Sequence, residues 1–217
     1  MRLSRFTILV VLMALISVLG MAQPAKRTVK GNILTSSDLP KVAVSVDAKF
    51  RYLGKFDFVI PNMATGQRYI FVDADAQKRV RRMFIAQFEA ILPDSAEFYR
   101  YDFSRAGKIG SIPFRHNTYA FGNSEQRKTN PDGEGVLTVD FLQKKGFSLS
   151  DEWMMSRFVT VPDKEKKHEM ILFYLEEVAP TGQSVSKFYV DDRSTDIWKE
   201  ISIGLTERSK AAFKVIG

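Results

Sequence analysis

The chain contains no cysteine, which excludes disulfides, thiolate nucleophiles and cysteine-ligated zinc together. It also lacks a Walker loop, a dinucleotide fingerprint, a Gly-x-Ser-x-Gly elbow and a His-Glu-x-x-His helix, so no standard catalytic motif is present. No Asn-x-Ser/Thr sequon, internal repeat or low-complexity tract occurs. The histidines are only two. His168 closes the charged run PDKEKKH and reads as a solvated turn residue. His116, in FRHNTYAF, could act as a base beside Ser111 or Asn117, but no orienting acid is identifiable, and a surface strand position explains it.

The N-terminus is apolar instead of polar. Arg2 and Arg5 precede TILVVLMALISVLGMA, and Gly20-Met21-Ala22 offers the small residues of a cleavage site before Gln23. This pattern predicts a signal peptide over 1–22. An uncleaved anchor is the alternative, since the run is slightly short of the roughly 20 residues that span a bilayer. With cleavage, the product is expected to be exported, periplasmic or secreted, with no transmembrane segment. The remaining length suits a single domain whose stability must come from packing alone. Residues 23–40 are polar, punctuated by Pro24, Gly31 and Pro40, and read as a leader. A single α+β domain is expected over 41–217.

From Lys41 the pattern alternates strictly: Val42, Val44, Val46, Ala48, Phe50 and Tyr52 share one face, which predicts a strand with one wet side. Gly54-Lys55 reads as a turn, Phe56, Phe58 and Ile60 as its continuation, and Arg68–Val72 as a third strand. The run RVRRMFIAQFEAIL at 79–92 fits a helix or a strand; the strands around it favour strand. Tyr99–Phe103 alternates as a further strand, and Ile112–Phe121 as another. Val136–Lys145 reads as a short helix ending at Gly146 in the left-handed C′ position, with Phe147 as closing contact. Met154–Val161 and Glu169–Val178 read as a hairpin, with Phe158 facing the helices and Arg157 the opposite side. A C-terminal helix opens at Asp192 or Ser194 and presents Ile197, Ile201, Leu205 and Ala212. The expected fold is therefore α+β: a curved, meander-like antiparallel sheet of about seven strands, packed against a short helix and a C-terminal helix.

Three features bear on function. Asp73-Ala-Asp75 would put two carboxylates on one side of an extended chain, as a hard cation requires, but an Asp-rich turn explains them equally, and no metal or cofactor is expected. Lys78, Arg79, Arg81 and Arg82 form the densest basic cluster; nucleic acid is not an expected partner of an exported chain without a nucleic-acid module, whereas an anionic envelope surface fits. The third is a set of polar residues inside apolar segments: Gln87, Glu89, Tyr99, Tyr101, Arg157, Tyr174, Glu176 and Arg208. A carboxylate taken out of water must pair or neutralise. Arg157, Arg208 and Tyr101, in that order, are the expected partners of Glu89. Such a set is either a structural ion-pair network or the polar end of a pocket among the 17 Phe and 7 Tyr. The reading carried forward is non-catalytic binding of a small apolar or amphipathic ligand, with Gln87, Glu89, Tyr101, Arg157, Tyr174 and Arg208 as site residues. An envelope interaction module comes second, and a hydrolase using Glu89 third.

Overall fold

The computed structural model describes residues 26–216. The signal sequence expected at 1–22 lies outside the described residues. From Lys26 onward the stretch read as a polar leader is folded: β1 (Arg27–Lys30) pairs with β2 (Ile33–Ser36), and β2 pairs with β3 (Val42–Val46), both antiparallel. Only Leu34 and Ser36 point inward from β2, and a single apolar anchor gives too weak a pattern to read in sequence.

The continuous strand expected from Lys41 to Tyr52 breaks after Val46. The Asp47 carboxylate accepts from the Lys49 amide (2.9 Å) and the Asp47 carbonyl from the Phe50 amide (3.0 Å), which closes a turn. The chain then leaves for a second sheet as β4 (Arg51–Ile60), followed by β5 (Ala64–Ala74) and β6 (Val80–Ile91). Gly54 is no turn but lies within β4, at a register irregularity opposite β5. The run at 79–92 is a strand, hydrogen-bonded on both sides and buried on both faces.

Tyr99–Phe103 is not a strand. The edge of β6 that a continuing meander would use is taken by a later strand, so residues 92–106 form a loop, held in part by the Tyr99 amide on the Lys166 carbonyl (2.9 Å). After this loop come β7 (Gly107–Ile109), β8 (Ile112–Gly122), α1 (Asn123–Thr129), α2 (Glu134–Lys144), β9 (Glu152–Thr160) and β10 (His168–Glu177). Then follow the small ribbon β11 (Tyr189–Val190) and β12 (Arg193–Ser194), α3 (Asp196–Ala211) and β13 (Phe213–Ile216). The main sheet has the order β4-β5-β6-β10-β9-β8-β7, antiparallel throughout, so two meanders meet where β10 docks on β6. The smaller sheet, β1-β2-β3-β13, joins segments from far apart in sequence.

The helix stop at Gly146 is as expected: its φ is +78°, the Gly146 amide reaches Gln143 and the Phe147 amide reaches the Leu142 carbonyl (3.1 Å). The C-terminal helix is capped by Thr195, whose side chain accepts from the Trp198 amide, and it buries Trp198, Leu205 and Ser209 while Ile197 is exposed. The apolar face is thus rotated one residue from the expected set at its N-terminal end.

Strand alternation divides the main sheet into two faces. Phe84, Ala86, Phe88, Met154, Phe158, Met170, Leu172 and Tyr174 join α3 and the inner side of the small sheet in one core. Phe213 of β13 stands 5.1 Å from the Phe84 ring and 5.4 Å from the Phe158 ring, which fastens the two sheets together. The hairpin register therefore agrees with the expected one for Phe158 and α3. The short helix departs from it, because α2 covers the other face, the one that carries Arg157.

Candidate ligand cavity

The second face of the main sheet does not close on a dry core along its whole length. Between this face, α1, α2 and the loop 92–106 lies a cavity of about 650 Å³. That is within the usual range of small-molecule sites, about 300–1,000 Å³.

Sheet register orders the cavity floor. Val72, Met83, Leu175, Met155 and Tyr119 are aligned across β5, β6, β10, β9 and β8. Ile70, Ile85, Phe173 and Arg157 form the next row, then Arg68, Gln87 and Ile171, and finally Gly66, Glu89 and Glu169. Along β6 (Met83, Ile85, Gln87, Glu89) and β10 (Leu175, Phe173, Ile171, Glu169) the floor thus passes from apolar to ionisable in steps of two residues. Phe121 of β8 and Val136 and Val139 of α2 extend the apolar lining.

At the polar end, burial is nearly complete: Gln87 is 1% exposed, Glu169 2%, Glu89 and Arg68 7% each. Arg68 Nε donates to Gln87 Oε1, and Gln87 Nε2 donates to Glu89 Oε1. Tyr99 OH donates to Glu89 Oε2 at 2.8 Å. Both oxygens of Glu89 are therefore occupied by neutral donors, one of which is itself held by a cation. Arg68 Nη1 also donates to the Glu134 carbonyl and to Thr138 Oγ1, each at 2.8 Å, which ties the sheet to the first turn of α2. Burial pushes the Arg68 guanidinium down to about 10, so it stays charged at neutral pH.

Glu169 is treated differently. Arg157 Nη2 donates to Tyr101 OH at 3.0 Å and reaches Glu169 Oε1 only at 3.4 Å, while Glu169 Oε2 is buried without a hydrogen-bond partner in the protein. Glu169 stands directly opposite Glu89 on the neighbouring strand. Its carboxyl is pushed up to about 7, first by burial and then by the charge of Glu89, against the opposing influence of Tyr101 and Arg157. Burial also raises Glu89, but the Tyr99 and Gln87 hydrogen bonds oppose that rise by stabilising its ionised form. Burial raises the phenols of Tyr99 and Tyr101 as well, so both are neutral donors at physiological pH.

Of the six expected site residues, four meet here: Gln87, Glu89, Tyr101 and Arg157. Tyr174 and Arg208 lie on the opposite face of the sheet. There Arg208 Nη2 pairs with Glu176 Oε2 at 2.7 Å, Tyr174 OH also donates to Glu176, and Arg82 pairs with Asp73. This second cluster fastens α3 to the sheet. The expected partners of Glu89 are corrected accordingly: Tyr99 and Gln87 hold it, whereas Arg208 is on the wrong face and Arg157 turns to Tyr101 and Glu169. Arg68 and Glu169 are the members that sequence reasoning misses. Each follows or opens a run of charged or polar residues and looks like a strand end; only cross-strand register brings them beside Gln87 and Glu89.

The remaining candidates are placed elsewhere. His116 stacks on Phe158 at 4.4 Å, and its Nε2 meets Ser156 Oγ (2.7 Å), which in turn donates to Ser209 of α3 (2.9 Å). It lies on a strand, as expected, and is partly buried there. His168 Nδ1 meets Asp163 at 3.0 Å in the turn before β10. Asp75 Oδ1 accepts the amides of Gln77 and Arg79, and Asp73 is engaged by Arg82, so both carboxylates of the Asp-x-Asp stretch serve the turn and its flanks. In the basic cluster, Arg79 and Arg81 pair with Asp75, and Arg81 also with Glu177. Among the described residues, no helix is long and apolar enough to cross a membrane. No protein-family model matches the chain, and neither a curated protein nor a solved structure matches it.

Proposed function

We propose that this domain, exported and freed of its N-terminal segment, binds a small amphipathic molecule in the cavity between the main sheet and α1–α2. The observation that carries the reading is the ordered floor: Met83, Ile85, Phe173, Leu175 and Met155 at one end, Glu89 and Glu169 at the other. An apolar tail gains by leaving water against the first set, at about 25 cal/mol per Å² buried. A polar head finds fixed hydrogen-bonding groups in the second set. The basic cluster on β6 supports an anionic envelope partner less well, since its three arginines already pair with carboxylates of the same chain.

Native mass spectrometry of the purified protein, followed by denaturation and identification of any released small molecule, tests the reading. A carried molecule, or uptake of an added amphiphile at one equivalent, supports it. Failure of every long-chain amphiphile to bind, with the fold intact, removes it. Ile85→Trp narrows the apolar end and is expected to weaken uptake at least about tenfold, given the tight packing of such walls.

A further inference from the structure

We infer that the head group of the bound amphiphile is a primary ammonium, seated on Glu169 Oε2. This rests on the proposed amphiphile-binding function and adds the chemical class of the ligand. The charged and titratable groups facing Glu169 come from every element around it. Glu89 faces it from β6, Glu134 from α2, Arg68 from β5 and Arg157 from β9; Tyr99 and Tyr101 come from the loop and Tyr119 from β8. Lys167, two residues before Glu169, is turned away to the carbonyls of Ser95 and Glu97 (both 2.7 Å). Arg115 of β8 lies 5.8 Å from the Tyr101 ring and is not part of the cavity lining.

Among these groups the acids outnumber the bases, three carboxyls against two guanidiniums. The bases are also largely committed. Arg68 is held by Gln87, the Glu134 carbonyl and Thr138, and Arg157 by Tyr101 and Glu169. Glu89 has a donor on each oxygen. Among the described residues, two buried side-chain acceptors have no hydrogen-bond partner, Asn117 Oδ1 and Glu169 Oε2, and of these only Glu169 belongs to the cavity lining. A buried carboxylate beside a second carboxylate must acquire a positive charge or a proton. In the free protein Arg157 meets only the other oxygen, at 3.4 Å, and below about pH 7 a proton serves. An ammonium supplies the same charge with three donors, and displaces that proton as it binds. A carboxylate head would instead add a fourth negative group to a site already in excess of them.

Dodecylamine, dodecanol and dodecanoate share one tail and differ in head group, so their relative affinities for the full mature protein decide the matter. Calorimetric titration should show dodecylamine binding at least about tenfold more tightly than dodecanol at pH 8, since a hydrogen bond to a charged group adds that much or more. Its affinity should rise with pH through about 7, where Glu169 loses its proton, and at lower pH binding should release close to one proton. Buffers of differing ionisation enthalpy read that release directly on the unmodified protein. Glu169→Gln should bring the amine-to-alcohol affinity ratio to about one and remove the pH dependence of amine binding. Equal affinity for amine and alcohol, tightest binding of dodecanoate, or an amine affinity that falls as pH rises would each overturn the ammonium assignment and leave amphiphile binding standing. Failure of all three compounds to bind would overturn both.

Discussion

Glu89 and Glu169 stand directly opposite one another on adjacent antiparallel strands, both buried, yet only Glu89 has a hydrogen-bond donor on each of its oxygens. Directly opposed side chains have Cβ atoms about 5 Å apart, a spacing at which like charges repel. The pair is therefore asymmetric: one carboxyl is stabilised as an anion by its neighbours, and the other holds a proton more readily.

That asymmetry gives a pH dependence with a definite sign. A carboxyl whose pKa rises on folding, here from about 4.5 to about 7, binds more protons in the native than in the unfolded state between those values. Stability therefore falls as pH rises across that window, by about 3 kcal/mol at the scale of 1.4 kcal/mol per pH unit. Glu169→Gln removes the titration. Urea denaturation should show the variant more stable than the parent at pH 8 and the advantage vanishing below pH 4.5. An unchanged pH profile would mean that the Glu169 carboxyl titrates normally.

Replacing Glu89 acts in the opposite direction. Glu89→Leu leaves Tyr99 OH and the Gln87 amide without an acceptor and deprives Arg68 of the nearby negative charge. The expected loss is about 3–5 kcal/mol, the usual effect of breaking a buried ionic network. Glu89→Gln keeps an acceptor and should be milder. Thermal melts of the two variants check the order; equal and negligible effects would show that Glu89 anchors nothing.

On the other face, Arg208→Ala should cost only about 1 kcal/mol, because the arginine side chain is 49% exposed and its attraction to Glu176 is screened. Binding in the cavity should be unaffected, since the sheet separates the two sites. A loss of ligand without a loss of stability in this variant would contradict the division into two faces.

Gly66 supplies a purely steric test. A Cβ there would lie 2.2 Å from Phe58 Cζ, directly opposite on β4, so the ring rests on the bare backbone of its partner. Gly66→Ala is expected to destabilise by about 1–3 kcal/mol. The double variant with Phe58→Ala should lose less than the sum of the two single changes, because the ring that creates the clash is gone. Additive losses would place the ring elsewhere.

Legibility in the sequence follows how local each cause is. The hairpin and the stop at Gly146 rest on alternation or on a few consecutive residues and are readable from the chain alone, whereas FIAQFE fits helix and strand alike and reads as a strand only through the strands expected around it, of which Tyr99–Phe103 is not one. The break at Asp47 hides inside perfect alternation, since Ala48 and Phe50 continue the pattern while the backbone turns. Tyr99–Phe103 alternates, but the edge of β6 that a continuing meander would use is occupied by β10. Gln87 and Glu89 stand out because polar residues interrupt an apolar run. Arg68 and Glu169 do not, because their membership depends on which strand lies beside β6, a fact held in the register between distant segments.

The smaller sheet carries a consequence for synthesis. Its inner strand β3 is made early, but it is flanked on one side by β13, whose Phe213 and Val215 enter the main core. Contacts so far apart in sequence close slowly and late. A nascent chain emerging from the ribosome can complete the central hairpins, yet it cannot zip this sheet until Ile216 has been added. Until then Val42, Val44 and Val46 lack the cover that Phe213 and Val215 bring.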